Sequence, residues 1–296
     1  MAPIPRHRPD PLPTRPTRCA VAMTPQLAAS AQKGFERADI IITAGRLLMI
    51  RVIDVHKSFG TNQVLRGVNL EIPTGSLFAI VGGSGSGKSV LLKHVIALLR
   101  PDRGEVWVDD AKISHLYGSA LAQVRKRVGM LFQGGALFDS LSVFDNVAFP
   151  LRETTDLSEA VIHERVRTVL AEVGLAGAAE KFPSELSGGM RKRAAIARAA
   201  VTGPEILLFD EPTTGLDPVL VNSLHQKIRE QHLLHHFTAV IVSHEIPEIF
   251  SIATHVAMLH RGRIVAHGAP AEFQACQDPV VQQFLTGDIA GPIEIT

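Results

Sequence analysis

The chain has little of what staples or anchors a protein. Its 296 residues include two cysteines, Cys19 and Cys276, in unrelated contexts, which excludes a disulfide framework and fits a reducing compartment. No run reaches the roughly 18 uncharged apolar residues of a membrane span, so a membrane role would come from docking on a membrane protein. Aromatics are only 5% of the chain, and no basic stripe interleaves with them, so nucleic acid is not an expected partner. Charge of one sign is also missing. The 30 Lys+Arg and 29 Asp+Glu leave a net of +1, which excludes a polyanion-binding tail protein and a disordered acidic chain. The 46% apolar content suits one large domain or two small ones. A chain of this length buries about 75% of its unfolded surface without a staple.

Residues 1–49 stand apart. They hold seven basic residues against Asp10, Glu36 and Asp39, and seven prolines, six of them before position 17. Proline at that density forbids helices and sheet ladders. No apolar stretch with a small-residue cleavage site occurs, and Ser30 is the single serine, which argues against secretory and transit peptides. The expectation is a disordered tail or an untranslated extension, with the working start at or near Met49.

From Ile50 the pattern changes. Val68 to Ile72 alternates as a half-buried strand does, and Leu77 to Val81 is continuously apolar, as a strand covered on both faces would be. Glu105 to Asp109 alternates again, and Val90 to Leu99 reads as a buried helix. Ile206 to Phe209, Ala239 to Val242, and a hairpin of Val256–Leu259 and Ile264–Ala266 come later. Interleaved strands and helices predict an α/β fold with a largely parallel core sheet. The stretch from about 140 to 200 lacks strand runs and reads as an inserted helical subdomain.

The sharpest signal is Gly82-Gly83-Ser84-Gly85-Ser86-Gly87-Lys88-Ser89, between an apolar strand and a helix. It fits the P-loop pattern. Small residues let backbone N–H groups gather round phosphate oxygens, and the next helix, with Val90 in its first turn, presents its positive end to the same anion. Lys88 adds charge for the β/γ-phosphates, and the Ser89 hydroxyl is a ligand for Mg²⁺. Ile206 to Phe209 then leads into Asp210, a second Mg²⁺ ligand, and Glu211, a base for an attacking water. The two motifs specify a nucleoside triphosphatase without saying which kind.

Four further features bear on the kind. Leu186-Ser187-Gly188-Gly189-Met190 opens a basic helix, a second backbone anion site. Gln133 comes after the apolar Val128–Phe132 run, Gly215-Leu216-Asp217-Pro218 after the acidic pair, and His244 after a strand. Each alone has a plain explanation: a helix cap, a strand-end amide, a surface turn, a satisfied histidine. In this order and spacing, residues 50–270 resemble the ABC ATPases. Leu186–Met190 is similar to their signature, with Met190 in place of Gln; Gln133, Asp217 and His244 match the Q-loop, D-loop and switch histidine.

The resemblance implies a P-loop fold of ABC type: a mixed sheet core with an antiparallel β part and an inserted helical subdomain. It implies ATP and Mg²⁺, with Ser89, Gln133 and Asp210 as metal ligands and Glu211, Gln133 and His244 as catalytic residues. Phe59 matches the aromatic that stacks on adenine, although a core Phe ending the first strand is an open alternative. It also implies a head-to-tail homodimer. Ser187, Gly188 and Gly189 of one copy then face the phosphate held by Gly85, Lys88 and Ser89 of the other, and Asp217 links the two sites.

Met130–Phe138, Ser142–Glu153 and Pro183–Met190 are similar to the phospholipid-transport (Mla) ATPase family, as are Ile264–Gly268 and Gln283–Leu285 with Gly291-Pro292. This implies a subunit powering phospholipid transport between bacterial membranes. Its partners would be a membrane permease, an MCE-type substrate-binding subunit and a small STAS-domain subunit. Its place would be peripheral, at the cytoplasmic face of the inner membrane. An ABC transporter for another substrate is the alternative. Phe138, Phe144 and Phe149 are candidates for an apolar groove receiving a permease helix, or for subdomain core. Residues 271–296 are expected to be a C-terminal tail.

Overall fold

The computed structural model describes residues 48–294. The expectation for residues 1–49 therefore lies outside the described residues, apart from Leu48 and Met49. These begin β1 (Leu48–Phe59), which pairs antiparallel with β2 (Asn62–Pro73) and, on its other edge, with β4 (Arg103–Val108). The two-residue β5 (Ala111–Lys112) completes this first sheet. Val68, Leu70 and Ile72 of β2 are buried while Asn69 and Glu71 are exposed, as the alternation predicts.

The second sheet has the order β10-β9-β3-β8-β7-β6. In it β3 (Leu77–Val81), β6 (Val128–Leu131), β7 (Ile206–Asp210), β8 (Thr238–Ser243) and β9 (His255–His260) run parallel. β10 (Arg263–Gly268) returns antiparallel to β9 through the expected turn at Arg261-Gly262. Both faces of this sheet are covered. Leu77, Ala79 and Val81 face a core shared with the helices, and Phe78 and Ile80 face a core shared with the first sheet. A strand buried on both sides has no polar position, which is why β3 is apolar throughout.

Helix α1 (Lys88–Val95) comes after β3, and α2 (Gly118–Lys126) after β5. The helix expected over Val90–Leu99 ends sooner. Ala97 turns to φ +51, and Arg125 of α2 takes the Ile96 and Ala97 carbonyls at 3.0 and 3.0 Å. Between β6 and β7 lie α3 (Val143–Thr154), α4 (Glu159–Glu172) and α5 (Gly188–Ala200). Val147 and Leu151, Ile162 and Val166, and Ala194 to Ala197 bring these helices into one core. The Ser142 hydroxyl starts α3 by accepting from the Asp145 N–H at 3.0 Å. The long α6 (Pro218–His235) joins β7 to β8. At the end of the chain α7 (Pro270–Gln274) and α8 (Pro279–Thr286) bury Phe273 and Val281 in the helix-side core. Cys276, between them, is buried; Cys19 lies outside the described residues.

Candidate functional site

Parallel strands deliver their ends to one edge. Val81 is level with Ser243, Asp210 with Val242, and Leu131 with Phe209. The segments leaving these ends therefore converge: the P-loop after β3, Gln133 after β6, Glu211 after β7 and His244 after β8. Such carboxyl-end edges are where open α/β sheets bind ligands.

The P-loop turns at Gly82 with φ +147, and a Cβ there would lie 2.2 Å from the Leu259 carbonyl oxygen of β9, so this position requires glycine. Gly83, Ser84 and Gly85 line its rim, and Gly87 caps α1. Lys88 is buried, and its Nζ donates to the Gly82 and Gly83 carbonyls at 2.8 and 3.0 Å and lies 3.9 Å from Glu211 Oε1. Burial pulls its pKa down, against the attraction of Glu211 and then Asp210. An ammonium in that state gains from any further anion brought to the loop. The buried Ser86 Oγ has no hydrogen-bond partner among the described residues. Together, the orphan hydroxyl, the glycine turn and the helix N-terminus at Lys88–Val90 fit a polyphosphate.

Ser89 Oγ donates to Asp210 Oδ1 at 2.6 Å. Burial raises the Asp210 pKa, the Ser89 hydrogen bond opposes this, and Glu211 adds repulsion. A buried carboxylate beside a second carboxylate and a hydroxyl is an all-oxygen donor set of the kind that suits Mg²⁺. Glu211 sits in left-handed backbone, φ +49, fixed by its N–H donating to Val242 O at 3.0 Å. Gln133 Nε2 donates to Glu211 Oε2 at 3.0 Å, the Thr214 hydroxyl donates to the same oxygen at 3.1 Å, and His244 Nδ1 lies 3.5 Å from Oε1. Thr214 is not among the residues that the motifs single out; a hydroxyl three residues beyond a candidate base is the signal that could have found it.

Lys88, Ser89, Gln133, Asp210, Glu211 and His244 thus form one network. Other candidates lie outside it. Ser187 Oγ accepts from Met190 N at 3.3 Å and caps α5, the helix that Gly188 and Gly189 begin. Asp217 caps α6, accepting from Val219 and Leu220 N–H groups at 3.0 and 3.1 Å. Phe59 ends β1 with 47% of its surface exposed, which rules out the core alternative; Lys57 Nζ lies 5.5 Å from its ring centre. Phe138 and Phe149 are exposed with their rings 5.0 Å apart, whereas Phe144 packs against the core and His163. Among the described residues, no helix is long and apolar enough to cross a membrane.

Comparison with known proteins agrees with this geometry. The ABC transporter family model matches residues 65–214. The chain is 44% identical over 245 residues to the "Intermembrane phospholipid transport system ATP-binding protein MlaF" of Escherichia coli K12, covering 83% of this chain and 91% of that one. It is also 44% identical over 244 residues to the "Probable ribonucleotide transport ATP-binding protein mkl" of Mycobacterium tuberculosis H37Rv, covering 82% and 68%. Among solved structures, the dimeric post-hydrolysis state of the ATP-binding cassette MJ0796 with ADP and Pi superposes with a TM-score of 0.69 at 30% identity, covering 75% of this chain and 99% of that one. With half its length matched by the family model and its P-loop, Gln133 and acidic pair meeting at one sheet edge, the chain belongs to the ATP-binding subunits of the ABC transporter family.

Proposed function

We propose that the chain binds and hydrolyses ATP to power a transporter that moves phospholipid between bacterial membranes. The chemistry rests on one observation, the convergence of Lys88, Ser89, Gln133, Asp210, Glu211 and His244. The cargo rests on the likeness to MlaF. The equal identity to mkl, named for ribonucleotide transport, supports a second reading in which the cargo differs.

ATP is the substrate in this reading. Backbone N–H groups from Gly82 to Val90 cradle its phosphates, Lys88 adds charge at the β/γ-phosphates, and the exposed Phe59 ring offers a face to adenine, worth about 1–3 kcal/mol. Ser89 and Asp210, with Gln133, would hold Mg²⁺, which supplies neutralisation of developing phosphate charge. Glu211 accepts the proton of the attacking water, a role worth about 10²–10⁴-fold in rate. Gln133 and Thr214 fix the carboxylate that does so, and His244 stands where it senses the γ-phosphate.

One copy carries one P-loop and one Ser187-Gly188-Gly189 turn. The dimeric state of MJ0796 with ADP and Pi supports a dimer; in this reading the pair is head to tail, that turn closes over the nucleotide held by the partner copy, and Asp217 links the two sites. ATP binding closes the pair and hydrolysis resets it. Residues 50–270 carry this machinery, with the helices of about 140–200 as a subdomain. The partners in this reading are a permease docked on Phe138 and Phe149, an MCE-type subunit and a STAS-domain subunit, on the cytoplasmic face of the inner membrane and without nucleic acid. The test is to isolate a tagged copy from membranes with its companions. Co-isolated permease and phospholipid support the reading, a permease with another solute supports the second, and absence of any membrane protein overturns both.

A further inference from the structure

Three consecutive residues after Gln133 take left-handed backbone: Gly134 and Gly135 at φ +85 and +85, and Ala136 at φ +48. For alanine this conformation costs about 1–2 kcal/mol, so the surroundings must hold it. The holder is Arg198 of α5. Its Nη2 donates to Gly135 O at 2.9 Å and its Nη1 to Ala136 O at 2.7 Å, reaching 63 and 62 residues back along the chain. Its guanidinium lies 5.8 Å from the Phe138 ring centre. Burial pulls the Arg198 pKa down, and the partners of its fork are the two carbonyls. A planar fork meets two successive carbonyls in a way that a lysine ammonium does not.

Both ends of this segment are fixed by other groups. Upstream, the Gly135 N–H donates to Phe132 O at 2.8 Å, closing the turn that contains Gln133. Downstream, the fully buried Asn146 accepts from the Phe138 N–H at 2.8 Å and donates to the Phe138, Leu141 and Ser142 carbonyls at 3.0, 3.1 and 3.0 Å. Arg198 holds the joint between these two anchors. It stands on the helix that Ser187 opens, so one rigid element carries the signature turn at its start and the grip on the Gln133 loop near its end.

We propose that Arg198 is a positioning residue for hydrolysis: its fork sets the Gln133 amide on Glu211 and ties the place of that amide to the lie of α5. The proposal rests on the reading of Glu211 as the base, and it adds a residue that touches neither Glu211 nor the P-loop.

The test is a double-mutant cycle on the full-length chain. MgATP turnover, fluorescent-nucleotide affinity and melting temperature are measured for Arg198→Ala, Arg198→Lys, Gln133→Ala and the double variant R198A/Q133A. Arg198→Ala is expected to lower kcat about tenfold while KM moves less than about twofold, the pattern of an interaction used only in the transition state. Arg198→Lys recovers a small part. The double variant is no slower than Gln133→Ala alone, because both changes remove the same placement. Losses that multiply in the double variant overturn the proposal, as does full recovery by lysine or a rise in KM that matches the fall in kcat. If Arg198→Ala does not fold, the cycle is run with Arg198→Lys on the same criteria. Wild-type turnover in Glu211→Gln strikes the base reading instead, a result separate from the coupling of Arg198 to Gln133.

Discussion

The Ser89 hydroxyl donates to Asp210 at 2.6 Å although 121 residues separate the two in sequence. The sheet order explains the meeting: β8 lies between β3 and β7, and all three end at the same edge. Ser89→Ala removes one oxygen of this pair and leaves the P-loop backbone intact. Titrating Mg²⁺ against turnover should show an apparent affinity weaker by roughly tenfold or more, while nucleotide binding in EDTA is unchanged. Unaltered Mg²⁺ dependence would remove Ser89 from the metal site.

Glu211→Gln keeps the size of the side chain and its acceptor for Gln133 and Thr214 but loses the basic carboxylate. Phosphate release should fall by at least about 10²-fold with ATP affinity retained. In gel filtration with ATP, this variant should run as a stable dimer. Wild-type turnover would exclude Glu211 as the base.

Ser187 has an observed role as a helix cap and a proposed one at the partner's phosphate, and the two are separable. Its hydroxyl caps α5, and replacing an N-cap by alanine costs about 1 kcal/mol. Aspartate is an equally good cap but repels phosphate. Ser187→Asp should therefore hold the melting temperature of the wild type and abolish turnover, whereas Ser187→Ala lowers both. If Ser187→Asp turns over ATP normally, the signature turn does not face a phosphate.

His225 of α6 is 1% exposed, and neither ring nitrogen has a hydrogen-bond partner among the described residues. Burial lowers its pKa from 6.5 to about 4, with Glu248 weakly opposing. The unfolded chain thus binds more protons than the folded one between these values, so this contribution to stability is full above 6.5 and is lost as pH falls toward 4. The whole effect is about 3 kcal/mol at 1.4 kcal/mol per unit. Urea midpoints at pH 7 and pH 5 should differ in the wild type, and His225→Leu should narrow that difference. An equal difference in both would place the acid sensitivity elsewhere.

Phe138 and Phe149 expose adjoining rings beside the loop that carries Gln133. Phe149→Glu puts a charge on that patch without touching the nucleotide network. Basal turnover should persist while recovery of a membrane partner from detergent extracts is lost. Full recovery of the partner would show that the patch is not the docking surface.

Much of the site is legible in the residue order. Apolar runs at β3 and β7 announce strands buried on both sides, and the residues just beyond them are the P-loop and the acidic pair. The features that stay hidden are long-range. No local pattern says that Glu211 adopts left-handed backbone, because that conformation depends on its N–H meeting Val242 of another strand. Nor does any local signal stop α1 before Leu99, since Arg125 of α2 takes the carbonyls there. Arg198 reads as one more charge on a basic helix, and its carbonyl partners lie more than sixty residues upstream.

Gly82 is held against the Leu259 carbonyl, and Val81 is level with Met258 on β9. One wall of the site at the P-loop is therefore made by β9, a strand far downstream of the loop in sequence. A nascent chain halted before residue 255 already contains every P-loop residue, yet its loop has no wall to turn against. A polypeptide truncated before the β9–β10 hairpin is therefore expected not to retain ATP.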